Sequence, residues 1–348
     1  MGQRSEENMK LALDAMGGDH APQEIVLGGL EALKQYDFLE KIYLVGQREA
    51  IEAVLNKQEF DHSKVEIVEA SEVIEMEDHP ANAYRRKKDA SITVATRLVK
   101  EKKADAVVSA GSTGGQMVAA LFGLGRVKGV HRPAIGCIIP TYAGGKLLVD
   151  SGANTNVDEN NLVEFAKMGS IYMHCVMGMD APKVGLINNG AEETKGSELT
   201  QAVYQLLKEM PELNFIGNIE GRDVPAGKAD VMVCDGFTGN VVLKTMEGTA
   251  KVIMTMLQDE VMSSTKSKVG GMLLKPSLRK IKNRMDYAEY GGAPLLGVDG
   301  VSVVCHGSSK ARAIFKAIGV ANTCCESGFI GQLKENFQPS AKDKNIEE

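Results

Sequence analysis

Five times this chain runs a short apolar stretch into a turn of glycine and polar residues, and then into a segment with helical spacing. The turns are residues 14–22 (Asp-Ala-Met-Gly-Gly-Asp-His-Ala-Pro), 109–115 (Ser-Ala-Gly-Ser-Thr-Gly-Gly), 188–196 (Asn-Asn-Gly-Ala-Glu-Glu-Thr-Lys-Gly), 235–240 (Asp-Gly-Phe-Thr-Gly-Asn) and 306–309 (His-Gly-Ser-Ser). Apolar runs without alternation mark strands buried on both faces, and their alternation with helices argues for a doubly wound, largely parallel α/β sheet. In such sheets the turns at the carboxyl ends of the strands are where ligands bind. Turns of this kind free backbone N–H groups and helix N-termini to face an anion. The pattern points to a crevice that handles phosphate.

The runs predict strands at 10–15, 41–45, 65–69, 106–109, 135–140, 147–150, 183–187, 214–217, 231–234 and 301–305. Helical patterns fall at 22–35, 91–103, 115–127, 158–177, 197–210, 239–263 and 309–329. Residues 9–337 are expected to form one α/β catalytic domain, with 1–8 a polar leader or tag remnant and 338–348 a polar tail. From about 238 to 290 no strand is expected, and the chain reads as a protruding helical hairpin. Its second helix carries Leu274, Leu278, Ile281 and Met285 at amphipathic spacing, and residues 266–276 link the two helices.

The hairpin tip has unusual charge. Between 263 and 285 lie seven basic residues and no acidic one: Lys266, Lys268, Lys275, Arg279, Lys280, Lys282 and Arg284. Val269, Met272, Leu273 and Leu274 stand among them. Apolar side chains ringed by Lys and Arg suit an anionic bilayer or an acidic partner, and equally a dimer interface with solvated charges at its rim.

Composition excludes several classes. A net charge of −6, 5% aromatics and no Trp give little drive toward nucleic acid. No apolar run approaches the roughly 18 residues of a membrane span. The six cysteines lack paired metal spacing and sit mostly in apolar runs, as reduced structural thiols of a cytoplasmic protein would. No His/Asp/Glu cluster has metal spacing, so no metal is expected.

Several residues could carry chemistry. In the turn at 109–115, Ser109, Gly111, Ser112, Thr113 and Gly114 can offer hydroxyls and N–H groups to phosphate, with Ser112 and Thr113 also suited to capping the next helix. The turn is neither a Walker loop nor a dinucleotide fingerprint. Asn188 opens a turn in which Lys195 begins a new helix, placing a cation for phosphate or an oxyanion where a surface lysine is the plain alternative. Asp235 and Thr238, candidates with Asn188 for binding the substrate or its phosphate, precede Asn240, which can cap a helix or donate to a carbonyl oxygen. His20 and His306 alone among the histidines lie in glycine turns after strands, and each can bind phosphate, move a proton or simply support neighbours. No residue is marked as a nucleophile, so direct attack by a bound anion fits better than a covalent intermediate.

Read together, residues 13–22, 109–114, 123–129 (Gly-Leu-Gly-Arg-Val-Lys-Gly), 235–240, 290–293 (Tyr-Gly-Gly-Ala) and 306–309 closely resemble the bacterial phosphate acyltransferase (PlsX) family of phospholipid synthesis. The resemblance implies a fold like that of phosphotransacetylases and the isocitrate dehydrogenase group, and a homodimer. It implies transfer of a long-chain acyl group from acyl carrier protein to inorganic phosphate, giving acyl phosphate for a membrane glycerol-phosphate acyltransferase, with no cofactor. It puts Lys195 and Asn240 at the catalytic positions, with His20 a helper. The hairpin would meet the anionic membrane or the acidic carrier, and the protein would be cytoplasmic and peripherally membrane-bound. A phosphotransacetylase acting on short acyl-CoA would share the crevice without needing a lipid-facing tip. A dehydrogenase would need metal and NAD contacts that the sequence lacks, and a membrane adaptor would leave the glycine turns idle.

Overall fold

A computed structural model describes residues 8–285 and 287–337. In chain order the elements are β1 (Met9–Asp14), α1 (Gln23–Gln35), β2 (Leu39–Gly46), α2 (Arg48–Leu55), β3 (Val65–Glu69), α3 (Pro80–Arg86), α4 (Ser91–Lys100), β4 (Ala106–Ser109), α5 (Thr113–Gly123), β5 (Ala134–Ile135), β6 (Cys137–Thr141) and β7 (Gly144–Val149). They continue with α6 (Glu159–Cys175), β8 (Lys183–Asn188), α7 (Glu198–Lys208), β9 (Asn214–Glu220), β10 (Val231–Val233), α8 (Gly236–Met262), α9 (Thr265–Met285), β11 (Ala293–Leu296), β12 (Val301–Val304), α10 (Ala311–Glu326) and α11 (Phe329–Asn336).

The doubly wound, parallel-dominant class holds, but the strands divide between two sheets. One has seven strands in the order β3-β2-β1-β4-β12-β11-β5, the other five in the order β6-β7-β10-β8-β9. Only β11 runs against its neighbours in the first sheet, and only β6 in the second. The run expected as one strand at 135–140 is split at Gly136, where the chain leaves one sheet for the other. A Cβ there would sit 3.0 Å from Leu296 and 3.1 Å from Leu147, one residue of each sheet. One apolar cluster is continuous through both, from Leu11, Leu13 and Val108 to Leu147, Val149 and Val231. The class survives the division because the central parallel strands β4, β10 and β12 are fully buried, and each is followed in the chain by a helix.

Local signals explain the helix starts. Asp158 and Asn161 form a reciprocal capping box at α6, and Ser197 caps α7 by accepting the Thr200 N–H. The hairpin is formed by α8 and α9. Residues 266–276, expected as the link between its helices, instead form the first half of α9, with Pro276 inside the helix. The turn is therefore confined to residues 263–264. Close packing just behind it holds the helices together, since a Cβ on Gly271 would meet Val261 at 2.3 Å.

Candidate active site

Each sheet gathers glycine turns at the carboxyl ends of its central strands. In the seven-stranded sheet β1, β4 and β12 are parallel neighbours, and their ends bring the turns at 14–20, 109–114 and 306–309 together. Ser109 Oγ donates to Asp14 Oδ2 at 2.6 Å and accepts the Gly111 N–H at 3.0 Å. Asp14 and Ser109 are both buried. Burial pushes the Asp14 carboxyl above the usual carboxylate range, while bonds from Ser109, Ser91 and the Met16 and Gly17 backbone act the other way. Gly17 is needed for the fit, because a Cβ there would lie 2.6 Å from the Gly111 nitrogen. The Asp19 N–H donates to the Gly307 carbonyl at 2.8 Å and ties the first turn to the last.

In this cluster Ser112 is the N-cap of α5, accepting the Gly115 N–H at 3.3 Å, and Thr113 and Gly114 form the first turn of that helix. The cavity bounded by Asp14, Gly17, Ser91, Ser109, Gly111 and Ser112 measures about 10 Å³, room for roughly one water. His20 is exposed one residue past Asp19.

The five-stranded sheet makes the second cluster. There β10 lies between β7 and β8, so the turns at 150–154, 188–196 and 235–240 are neighbours. Asp150 is fully buried and organises the first of them. Its carboxylate accepts the N–H groups of Ile135 (3.1 Å), Gly152 (3.1 Å), Ala153 (3.0 Å) and Asn154 (2.7 Å), and the Asn154 side-chain amide at 2.9 Å. The start of α8 rests on this turn, the Gly236 N–H donating to the Asn154 carbonyl at 2.7 Å.

Asp235, not Asn240, caps α8: it accepts the Thr238 N–H at 2.9 Å and the Thr238 hydroxyl at 2.7 Å. Asn240 falls in the second turn with its side chain exposed, beside Gly152, where a Cβ would be 3.7 Å from the Asn240 Cβ. Lys195 does not open a helix either, since α7 begins at Glu198 behind its Ser197 cap. It sits in a turn pinned by two asparagines. Asn188 Nδ2 donates to the Lys195 carbonyl at 3.1 Å, and Asn218 Nδ2 to the Glu192 carbonyl at 2.9 Å. The pinned backbone leaves the Lys195 side chain exposed. Beside these turns runs a groove of about 470 Å³ lined by Thr155, Asn156, Val157, Leu199, Asp235, Phe237 and Thr238, within the range of small-molecule sites.

One contact joins the clusters and was not foreseen. Lys244 of α8 places its Nζ 3.1 Å from His306 Nε2 and 3.0 Å from Glu247 Oε2. The signal available in the sequence was its spacing of four from Asn240, which puts both on one helix face. Burial pushes the Cys137 and Cys305 thiols up to about 12, and those of Cys234 and Cys324 are raised as well, which disfavours their thiolate forms.

On the hairpin, Lys266, Lys268, Met272, Leu273, Leu274, Lys275, Arg279 and Lys280 are all exposed, Met272 and Leu273 by 74% and 78%, while the Lys282 side chain lies outside the described residues. Among the described residues no helix is long and apolar enough to cross a membrane.

The two-sheet, parallel-dominant α/β fold is shared with phosphotransacetylases. The structure of one from Streptococcus pyogenes matches with a TM-score of 0.59 at 17% identity, covering 91% of this chain and 94% of that one. The EutD phosphotransacetylase from Staphylococcus aureus matches with a TM-score of 0.58 at 18% identity over the same shares. These likenesses concern the fold. Sequence relatives are much nearer. The phosphate acyltransferase of Desulfitobacterium hafniense is 57% identical over 330 residues, 94% of this chain and 97% of that protein. That of Desulforamulus reducens is 52% identical over 340 residues, 98% of this chain and the whole of that protein. The family model described as "Fatty acid synthesis protein" matches residues 9–332, and this chain belongs to that family. It is an acyl-transferring enzyme.

Proposed function

We propose that this enzyme moves a long-chain acyl group from acyl carrier protein to inorganic phosphate. A phosphate oxygen attacks the thioester carbonyl carbon, forming a C–O bond and a tetrahedral oxyanion. Collapse breaks the C–S bond, and the thiolate leaves and takes up a proton from solvent, giving acyl phosphate and the free carrier thiol. Lys195 holds the anion and the Asn240 amide donates to the oxyanion, a type of interaction whose loss costs about 10²–10³ in turnover. A thiolate departs without a strong general acid, so His20 is at most a helper, and no cofactor enters the reaction.

The observation that carries this reading is the placement of Lys195 and Asn240 after β8 and β10, adjacent strands of one sheet, in a chain whose relatives are phosphate acyltransferases. The groove lined by Val157, Leu199, Phe237 and the neighbouring Thr and Asn side chains supports it by offering a mixed polar and apolar path for the donor arm. The exposed apolar and basic hairpin supports a homodimer peripherally attached to an anionic membrane, where a glycerol-phosphate acyltransferase consumes the product; its basic side chains also suit the acidic carrier.

The test is to incubate the protein with phosphate and either palmitoyl carrier protein or acetyl-CoA, trapping acyl phosphate with hydroxylamine. The reading expects product from the palmitoyl donor. Product from acetyl-CoA alone would instead make this a short-chain phosphotransacetylase.

A further inference from the structure

Most polar side chains expected to hold phosphate are already committed to shaping their turns. Ser109 bonds Asp14, Ser112 caps α5, Asn188 holds the Lys195 carbonyl, and Thr238 donates to Asp235. Lys244 is different. It follows Asn240 by one helical turn, with its side chain 48% exposed, and it reaches the carboxyl end of β12 in the other sheet. An ammonium has three donors. Two point at Glu247 Oε2 and His306 Nε2, and among the described residues the third has no partner.

The imidazole completes the group. Because the ammonium donates to Nε2, the His306 proton is assigned to Nδ1, which donates to the Ser308 hydroxyl at 2.8 Å. The Ser308 N–H also faces that Nδ1, at 3.2 Å. The ammonium at Nε2 and the Ser308 hydroxyl and N–H at Nδ1 thus gather around one imidazole, one helical turn from the amide assigned to the oxyanion. This is the donor set a phosphate dianion requires.

We propose that Lys244, together with His306 and Ser308, binds the reacting phosphate in addition to Lys195. The inference rests on the reading above, that phosphate is the acyl acceptor. Glu247 keeps the ammonium against α8, and a phosphate oxygen replaces the contact with His306.

The test measures inorganic phosphate binding by calorimetry on the full-length wild type, Lys244→Met, Lys244→Gln, Lys244→Arg and, as a control farther along α8, Lys251→Met. In parallel it takes KM for phosphate and for the acyl donor. Loss of one charge-assisted bond predicts phosphate binding weakened about ten- to a hundredfold in Lys244→Met and Lys244→Gln. Lys244→Arg restores most of it, Lys251→Met leaves it unchanged, and the KM for the donor hardly moves. Wild-type phosphate affinity in both uncharged variants, with unfolding midpoints intact, overturns the proposal. If acyl phosphate forms while phosphate affinity is indifferent to Lys244, the functional reading stands and this site falls. If phosphate binding depends on Lys244 but no acyl phosphate forms, the site stands and the functional reading falls.

Discussion

Replacing Gly239 by alanine tests whether the seat of α8 on the Asp150 turn sets the position of Asn240. A Cβ at Gly239 would lie 1.9 Å from the Asp150 carbonyl oxygen and 3.1 Å from Cys234 Sγ. The carbonyl cannot yield easily, because it is backbone and the Asp150 carboxylate beside it accepts five hydrogen bonds. The start of α8 therefore has to retreat by roughly 1 Å to reach even the tight end of normal packing. Overpacking of this kind costs about 1–3 kcal/mol of stability. The larger effect falls on activity, since Asn240 is the next residue and a misplacement of about 1 Å can cost 10²-fold in rate. Gly248, on the same helix, is the internal control: a Cβ there meets nothing within 4 Å. Gly248→Ala should gain about 0.5–1 kcal/mol from helix propensity and keep full turnover. Steady-state acyl transfer and thermal unfolding of both variants decide the matter. Wild-type kcat in Gly239→Ala would refute the claim that this contact positions the amide proposed to be catalytic.

Two further outcomes follow from the structure. The folded-state pKa of Asp14 is raised above 3.8, so the native state binds more protons there than the unfolded chain. Its stabilisation is complete below about pH 3.8 and is lost as pH rises through the folded value. Asp14→Asn removes that titration, so unfolding measured from pH 4 to 7 should show the variant gaining steadily on the wild type; parallel curves would contradict the assigned direction. On the hairpin, reversing Arg279, Lys280 and Lys282 to Glu should weaken binding to anionic vesicles at least about a hundredfold, at roughly 1 kcal/mol per basic residue lost. Unchanged vesicle sedimentation would leave the tip to carrier or partner contact.

The parallel core was legible because β1, β4, β8 and β12 are unbroken apolar runs ending in glycine turns, and burial on both faces leaves such runs few other fates. Sheet order was not, because pairing is a long-range property. Strand β11 hid because it has only 4 residues and carries Pro294 near its start, just after two glycines. α2 and α3 have only 8 and 7 residues, too few for a firm period. Gly270, Gly271 and Pro276 read as breakers, yet Gly271 is what lets α9 close on Val261.

The site was legible in its turns and not in its partners. Asp150 looked like the end of a strand, and its buried carboxylate matters only once the Asn154 turn folds around it. Lys244 looked like one more lysine on an amphipathic helix. Its meeting with His306 joins elements 62 residues apart, from two different sheets.

The central claim is that phosphate itself attacks the thioester. It is tested most directly by rapid mixing of the enzyme with palmitoyl carrier protein, following carrier thiol release with phosphate present and with phosphate omitted. The account predicts thiol and acyl phosphate appearing together in equal amounts, and neither without phosphate. A burst of one thiol per enzyme in the absence of phosphate, with an acylated protein in the mass spectrum, would contradict it.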